Sequence, residues 1–228
     1  MFFFFINKPY IAIIGDIKKS RELKDRNNVQ ENLKKTLNII NGKYEKDISS
    51  KFLITLGDEF QGLLHVGHHV LSIIEEIQRA LYPVKIRFGV GVGDIVTGIN
   101  PDMALGADGP GYYRAREAID FLKKNEQKKQ SHAPDIRIEA DEENNSTIIL
   151  LNTILSLLSV IKDNWSDRQR EIIWDVLTYQ DGQRKSAERL QVAQSSIQRG
   201  LMKANYYAYK EAVDTVNHIL SEIGEEDV

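Results

Sequence analysis

Cysteine is absent from the 228 residues, which removes disulfides, thiolate nucleophiles and cysteine-based zinc sites at one stroke. That composition fits a reducing cytosol. A dominant charge is lacking too: 30 Lys and Arg face 33 Asp and Glu for a net −3, so the chain as a whole is no generic polyanion binder. Internal repeats are missing. The apolar start, residues 1–6, has no basic region before it and is broken by Asn7, Lys8 and Pro9. We read no signal peptide there and no membrane-spanning run elsewhere, and expect a cytoplasmic protein with no membrane partner. With 42% hydrophobic and 28% charged residues, the composition is that of a folded globular chain.

The pattern along the chain predicts alternating elements. Residues 10–17 form a short apolar strand, and Val29, Leu33, Leu37 and Ile40 set a helical stripe over residues 26–43. Residues 51–56 and 60–64 read as strands around a Gly57-Asp58 turn. Val66, Val70, Ile73, Ile77 and Leu81 restore the helical period before Pro83. In the strand over residues 84–93, Gly89, Gly91 and Gly93 alternate with Phe88, Val90 and Val92. One face is therefore bare backbone, open to a ligand or to a closely packed helix. A Gly- and Pro-rich loop follows over residues 99–111, and then a helix over 112–124; residues 135–151 read as a final hairpin with an acidic turn. Strand, helix, strand, strand, helix, strand is the ferredoxin-like order, so the fold class is α+β. After residue 150 the pattern turns helical to the end, which places a first domain at 1–150 and an all-α domain at 151–228.

Two carboxylates stand out. Asp16 closes the first strand and Asp58 sits in the hairpin beside it, so both reach one edge of the sheet. Paired hard oxygen ligands suit Mg²⁺ or Mn²⁺ when a nucleoside triphosphate supplies the remaining ligands. Gly-Asp is also an ordinary turn dipeptide, and Asp16 can equally cap the loop that follows it. After Asp16 come Ile17, Lys18, Lys19, Ser20 and Arg21, a loop able to meet phosphates through charges and amides, or simply to be a solvated basic loop. Residues 108–111 precede a helix but carry no Lys-Ser or Lys-Thr pair and are read as a turn, not a P-loop. His65, His68 and His69 cluster without a helical His-Glu-x-x-His pattern and are not assigned a metal.

These motifs resemble the class III nucleotidyl cyclases and palm-type relatives such as the diguanylate cyclases. Asp16, Ile17 and Ser20 match the family's first metal-binding pattern, and Gly57-Asp58-Glu59-Phe60 matches its hairpin. Residues 87–93 resemble its Gly-rich strand. The resemblance covers residues 8–125 and implies a metal–nucleotide site, with Asp16 and Asp58 as metal ligands and Ile17, Lys18, Lys19 and Ser20 on the nucleotide. Tyr113 and Glu117 stand where the family carries its transition-state Asn and Arg, although Arg114 and Arg116 lie nearby. That departure favours nucleotide binding over turnover. The whole chain, cyclase-like part plus helical tail, is similar to the SatD-like bacterial family.

The tail reads as a helix-turn-helix. Ser166 is an N-cap for a helix carrying Ile172, Ile173, Val176 and Leu177; helices over 183–190 and 194–204 follow, separated by Gln191-Val192-Ala193, where the usual turn Gly is Gln191. Between residues 182 and 204, Arg184, Lys185, Arg189, Arg199 and Lys203 face one acid, Glu188. This local basic balance suits duplex DNA. Arg184, Lys185, Gln194, Ser195, Ser196, Gln198 and Arg199 are the expected DNA contacts. A helical dimerisation bundle is the plainer alternative. A last helix over 204–223 ends in an acidic stretch, and a homodimer is expected by analogy with both motifs. The leading expectation is a DNA-binding regulator with a nucleotide-sensing site. An active nucleotidyl cyclase or related nucleotidyltransferase, a phosphorus–oxygen lyase, is the alternative, and a scaffold with a vestigial site is the third.

Overall fold

A computed structural model describes residues 2–5, 7–128 and 133–224. The elements are β1 (Tyr10–Ile17), α1 (Arg26–Lys43), β2 (Ile48–Leu56), β3 (Glu59–Leu64), α2 (Val70–Leu81), β4 (Ile86–Gly93), α3 (Pro110–Glu126), β5 (Ile136–Glu139), α4 (Asn145–Asp163), α5 (Asp167–Tyr179), α6 (Gln183–Arg189), α7 (Gln194–Lys203) and α8 (Tyr206–Ser221). The strands form one sheet in the order β2-β3-β1-β4-β5. The first four are antiparallel in the ferredoxin-like arrangement, and β5 adds to β4 in parallel. The α+β, ferredoxin-like class read from the sequence is the observed one.

β1 occupies the centre because seven of its eight residues are buried and it can be covered on both faces. One face carries the three alternating glycines of β4, and what approaches them is a helix. A Cβ on Gly91 would lie 2.0 Å from the Gly111 carbonyl of α3, and one on Gly89 would lie 2.2 Å from that of Ala115. Side chains there would force α3 off the sheet. Ala12, Ile14, Leu63, Tyr112, Ala115 and Ile119 fill the rest of this layer. On the opposite face Phe60 and Phe88 meet edge-to-face at 5.9 Å, with Phe60 lying over the bare backbone of Gly15.

The structure differs from the sequence reading at three points. α2 starts at Val70 rather than 66, since Gly67 is occupied in a backbone bond from its N–H to the Ile223 carbonyl (2.9 Å). The expected hairpin over 135–151 is instead β5 followed by a short 3-10 turn and α4. The run Thr147-Ile148-Ile149-Leu150-Leu151 suits either period, and packing decides for helix. Asn152 on α4 then takes the place of the missing strand, its amide accepting from Ile138 N–H and donating to Ile138 C=O, both at 2.8 Å. Finally, the segment Glu142–Asp163, with mean hydropathy 1.5, is long and apolar enough to cross a membrane by length and composition, where the sequence reading found no such run. Its Ile148, Leu151 and Leu155 are buried within the fold.

The described residues divide into two compact units. One runs to Ser156 and resumes at Val216; the other covers Leu157–Thr215. The sequence reading put the division at 150/151 and the whole C-terminus in the helical part. Val216, Ile219, Leu220 and Ile223 are buried instead in the sheet unit, whose Gly67 would clash with the Leu220 carbonyl if it carried a Cβ (1.8 Å).

Candidate functional site

The register of the sheet assembles the first site. Asp16 on β1 lies opposite Glu59 on β3 and Arg87 on β4, and cross-strand partners point to the same face, here the one covered by α3. Arg87 donates from Nη1 to Asp16 Oδ2 at 2.5 Å. Its Nε and Nη2 fork onto Glu126 at the end of α3 (2.9 and 2.5 Å). Lys123, one turn earlier on α3, reaches Asp16 Oδ1 at 3.0 Å. Asp58 lies across the opening: its backbone carbonyl accepts from Ile17 N–H at 3.0 Å and its carboxylate accepts the Ser20 hydroxyl. The turn that presents Asp58 depends on Gly57, at φ 61°.

An open groove of about 300 Å³ results, lined by Asp16, Ile17, Lys19, Ser20, Arg21, Glu22, Asp58, Arg87 and Lys123. It brings together both expected metal ligands and three of the four expected nucleotide residues. Lys18 is the fourth and does not line it. Its N–H continues the strand pairing to Lys85 C=O, and its ammonium is spent on Glu126 and Asp135 at 2.8 and 2.9 Å. Burial pulls the Lys18 pKa down, but these carboxylates outweigh it and raise it above the ordinary lysine value. Burial likewise pushes Glu126 up, and the bonds from Lys18 and Arg87 outweigh it, holding the carboxyl below its usual range.

The donor set fits a hard divalent cation bound together with phosphates. Among the described residues no group of three His, Cys, Asp or Glu converges, so Asp16 and Asp58 would hold the metal with most ligands coming from phosphate and water. Asp16 also already takes a cation on Oδ1, the ammonium of Lys123. Arg87 and Lys123 were missed by the sequence reading, although a signal existed. Arg87 shares the strand parity of the three glycines, and Lys123 follows Ala115 and Ile119 at helical spacing on the stripe that faces the sheet.

The residues around the cyclases' transition-state positions are engaged elsewhere. Tyr113 is 57% exposed and donates its hydroxyl to Asp108 (2.6 Å). Arg114 donates to the Val92 carbonyl at 2.6 Å, and Arg116 forks onto Glu59 at 2.5 and 2.6 Å. None of them lines the groove.

The helical unit holds the second candidate surface. Ser166 and Gln169 form a reciprocal capping box at the start of α5, as the N-cap reading expects. Ile172 and Ile173 of α5 and Ile197 and Leu201 of α7 are buried in this unit, and Gly200 of α7 allows a close approach to α5: a Cβ there would sit 2.7 Å from Ile172 Cδ1. Gln191, in the place of the usual turn glycine, adopts φ 53°, so the turn keeps its left-handed corner with a larger residue. Gln194, Ser195 and Arg199 are exposed on α7, and Arg184 and Lys185 on α6. Two expectations change. Gln198 is held through Oε1 by Gln183 (2.5 Å) and Tyr207 (3.0 Å), which makes it an internal brace. Arg189 forks onto Asp175 and Asp181 at 2.7 to 2.9 Å, so acids outside the counted window cancel part of the local positive balance.

Taken together, these features define a two-part α+β protein: a ferredoxin-like sheet unit with an acidic–basic groove, and a helix-turn-helix unit. The chain belongs to the SatD family, whose model matches residues 10–219. No curated protein matches it by sequence. Among solved structures it is similar to the catalytic core of a rhodopsin-guanylyl cyclase with converted specificity in complex with ATPαS, at 14% identity and TM-score 0.38, over 62% of this chain and 81% of that one. It is also similar to a regulator of polyketide synthase expression from Bifidobacterium adolescentis, at 14% identity and TM-score 0.28, over 95% of this chain and 80% of that one.

Proposed function

We propose that the protein is a DNA-binding regulator whose sheet unit senses a nucleotide bound with Mg²⁺ or Mn²⁺. The observation that carries this reading is the groove itself. Two carboxylates on adjacent elements share one opening with Lys19, Arg21, Arg87 and Lys123, the mixed charge a metal–triphosphate complex requires. When bound, the metal would neutralise phosphate charge. Asp16 and Asp58 would hold it, Ser20 would orient Asp58, and Lys19 and Arg21 would meet phosphate oxygens. Binding rather than turnover is favoured because Arg114 and Arg116 are committed to Val92 and Glu59 and supply no groove-facing cation for a transition state.

The exposed Gln194, Ser195 and Arg199 of α7, with Arg184 and Lys185 of α6, support the DNA half of the reading. Sensing requires that nucleotide bind the DNA-competent state with a different affinity from the other state. Fluorescence anisotropy of a labelled duplex tests this, with the full chain titrated at low salt with and without Mn²⁺ and each nucleoside triphosphate. The reading expects salt-sensitive DNA binding whose affinity changes at least about fivefold with one triphosphate, the lower end of ordinary coupling. Undetectable DNA binding, or affinity indifferent to every saturating nucleotide that binds, overturns it.

A further inference from the structure

We infer that Lys123 is the residue that makes metal binding conditional on phosphate. This rests on the reading of the groove just given and extends it to a position that no sequence motif marks. The two oxygens of Asp16 are held very differently. Oδ2 accepts from Arg87, whose side chain is only 12% exposed and is anchored by its other nitrogens on Glu126. Oδ1 accepts from Lys123, whose side chain is 42% exposed and has no second carboxylate anchor among the described residues. One oxygen is therefore committed and the other exchangeable.

Asp16 and Lys123, the two ends of this exchangeable contact, both line the groove shared with Asp58. A bare divalent cation arriving there must displace an ammonium and then remain close to it, with the Arg87 guanidinium fixed on the other carboxylate oxygen. Like charges a few ångströms apart at a partly buried site are strongly unfavourable. A metal–triphosphate complex carries net negative charge, so the displaced ammonium gains phosphate oxygens in exchange for Asp16. The stem of Lys123 is a flexible chain with a compact charge, suited to such a swing, whereas a guanidinium locked like Arg87 is not. In the ligand-free chain Lys123 also keeps Asp16, itself 6% exposed, from being left under-compensated.

The experiment is equilibrium dialysis of the full chain against Mn²⁺, with and without inorganic tripolyphosphate on both sides of the membrane, reading protein-bound Mn²⁺ for wild type, Lys123→Gln and Lys123→Arg. Wild type is expected to bind Mn²⁺ weakly alone and at least about tenfold more tightly with tripolyphosphate. Lys123→Gln is expected to bind Mn²⁺ alone roughly tenfold more tightly than wild type, with the tripolyphosphate enhancement largely lost. Lys123→Arg, which keeps the charge, is expected to retain the wild-type pattern. Equal affinity of wild type and Lys123→Gln for Mn²⁺ alone, with the enhancement intact in both, overturns the inference and leaves the metal–nucleotide site standing. Absence of tripolyphosphate-assisted Mn²⁺ binding in wild type overturns the site and the inference together.

Discussion

Arg87 and Asp16 are cross-strand partners on β4 and β1, joined at 2.5 Å on the face of the sheet that α3 covers. Around this pair a chain of alternating charge runs from Lys123 through Asp16, Arg87, Glu126 and Lys18 to Asp135. Three cations and three acids balance at the strand ends, so the groove is built on a neutral, fully bonded base rather than on loose surface charge.

That ladder predicts an acid-sensitive contribution to stability. Glu126 has its folded pKa held below the ordinary 4.5, so it stabilises the fold above that pH and the contribution is lost as the pH falls through its folded value. Urea unfolding of wild type and Glu126→Gln at pH 7 is expected to show the variant less stable, with the gap closing below about pH 4.5. A gap that stays constant down to pH 3 contradicts the assignment.

The contact between β4 and α3 is a backbone contact, and it positions Lys123. Gly91→Ala places a methyl group 2.0 Å from the Gly111 carbonyl. It is expected to cost roughly 1–3 kcal/mol or more in denaturant unfolding, as overpacking does. Gly98→Ala, with nothing within 4 Å of its added Cβ, is the control expected to change little.

Tyr112 is 8% exposed, and its hydroxyl has no hydrogen-bond partner among the described residues. Burial raises its pKa to about 12. Tyr112→Phe removes a polar group that the core does not satisfy and is expected to leave stability unchanged or raise it by up to about 1 kcal/mol. A loss of more than about 1 kcal/mol shows that the hydroxyl makes a bond worth keeping.

On the helical unit, Lys185→Ala and Arg199→Ala are each expected to lower the slope of log affinity against log salt for duplex DNA by about 1. Gln198→Ala is expected to leave the slope unchanged and to lower thermal stability, since Gln183 and Tyr207 lose their shared acceptor. An unchanged slope in both cation variants removes these side chains from any phosphate contact.

Much of this arrangement is legible in the sequence, for identifiable reasons. A continuous apolar run marks β1, a period-2 pattern β4 and period-3.6 patterns α1 and α7, and the glycine parity of β4 marks a close approach. That a helix rather than a ligand makes the approach depends on Ala115 and Gly111, more than eighteen residues away in the chain. The run over 147–155 satisfies both periods, so Asn152 could be seen to bond Ile138 only in three dimensions. Asp16 and Asp58 carry a motif; Lys123 does not, and its role follows from the register of α3 on β1. The braces on Gln198 and Arg189 come from Tyr207, Asp175 and Asp181, outside the window in which charge was counted.

The most direct test of the central claim is a thermal-shift titration of the full chain with ATP, GTP, CTP and UTP, each with and without Mn²⁺, in wild type and Asp58→Ala. A ligand specific for the folded state, present at about 100 times its Kd, stabilises it by roughly 2.7 kcal/mol. The account predicts a metal-dependent rise in midpoint for at least one nucleotide, lost in Asp58→Ala while the variant's own midpoint stays near that of wild type. No metal-dependent shift with any of the four, or a shift that survives in Asp58→Ala, contradicts it.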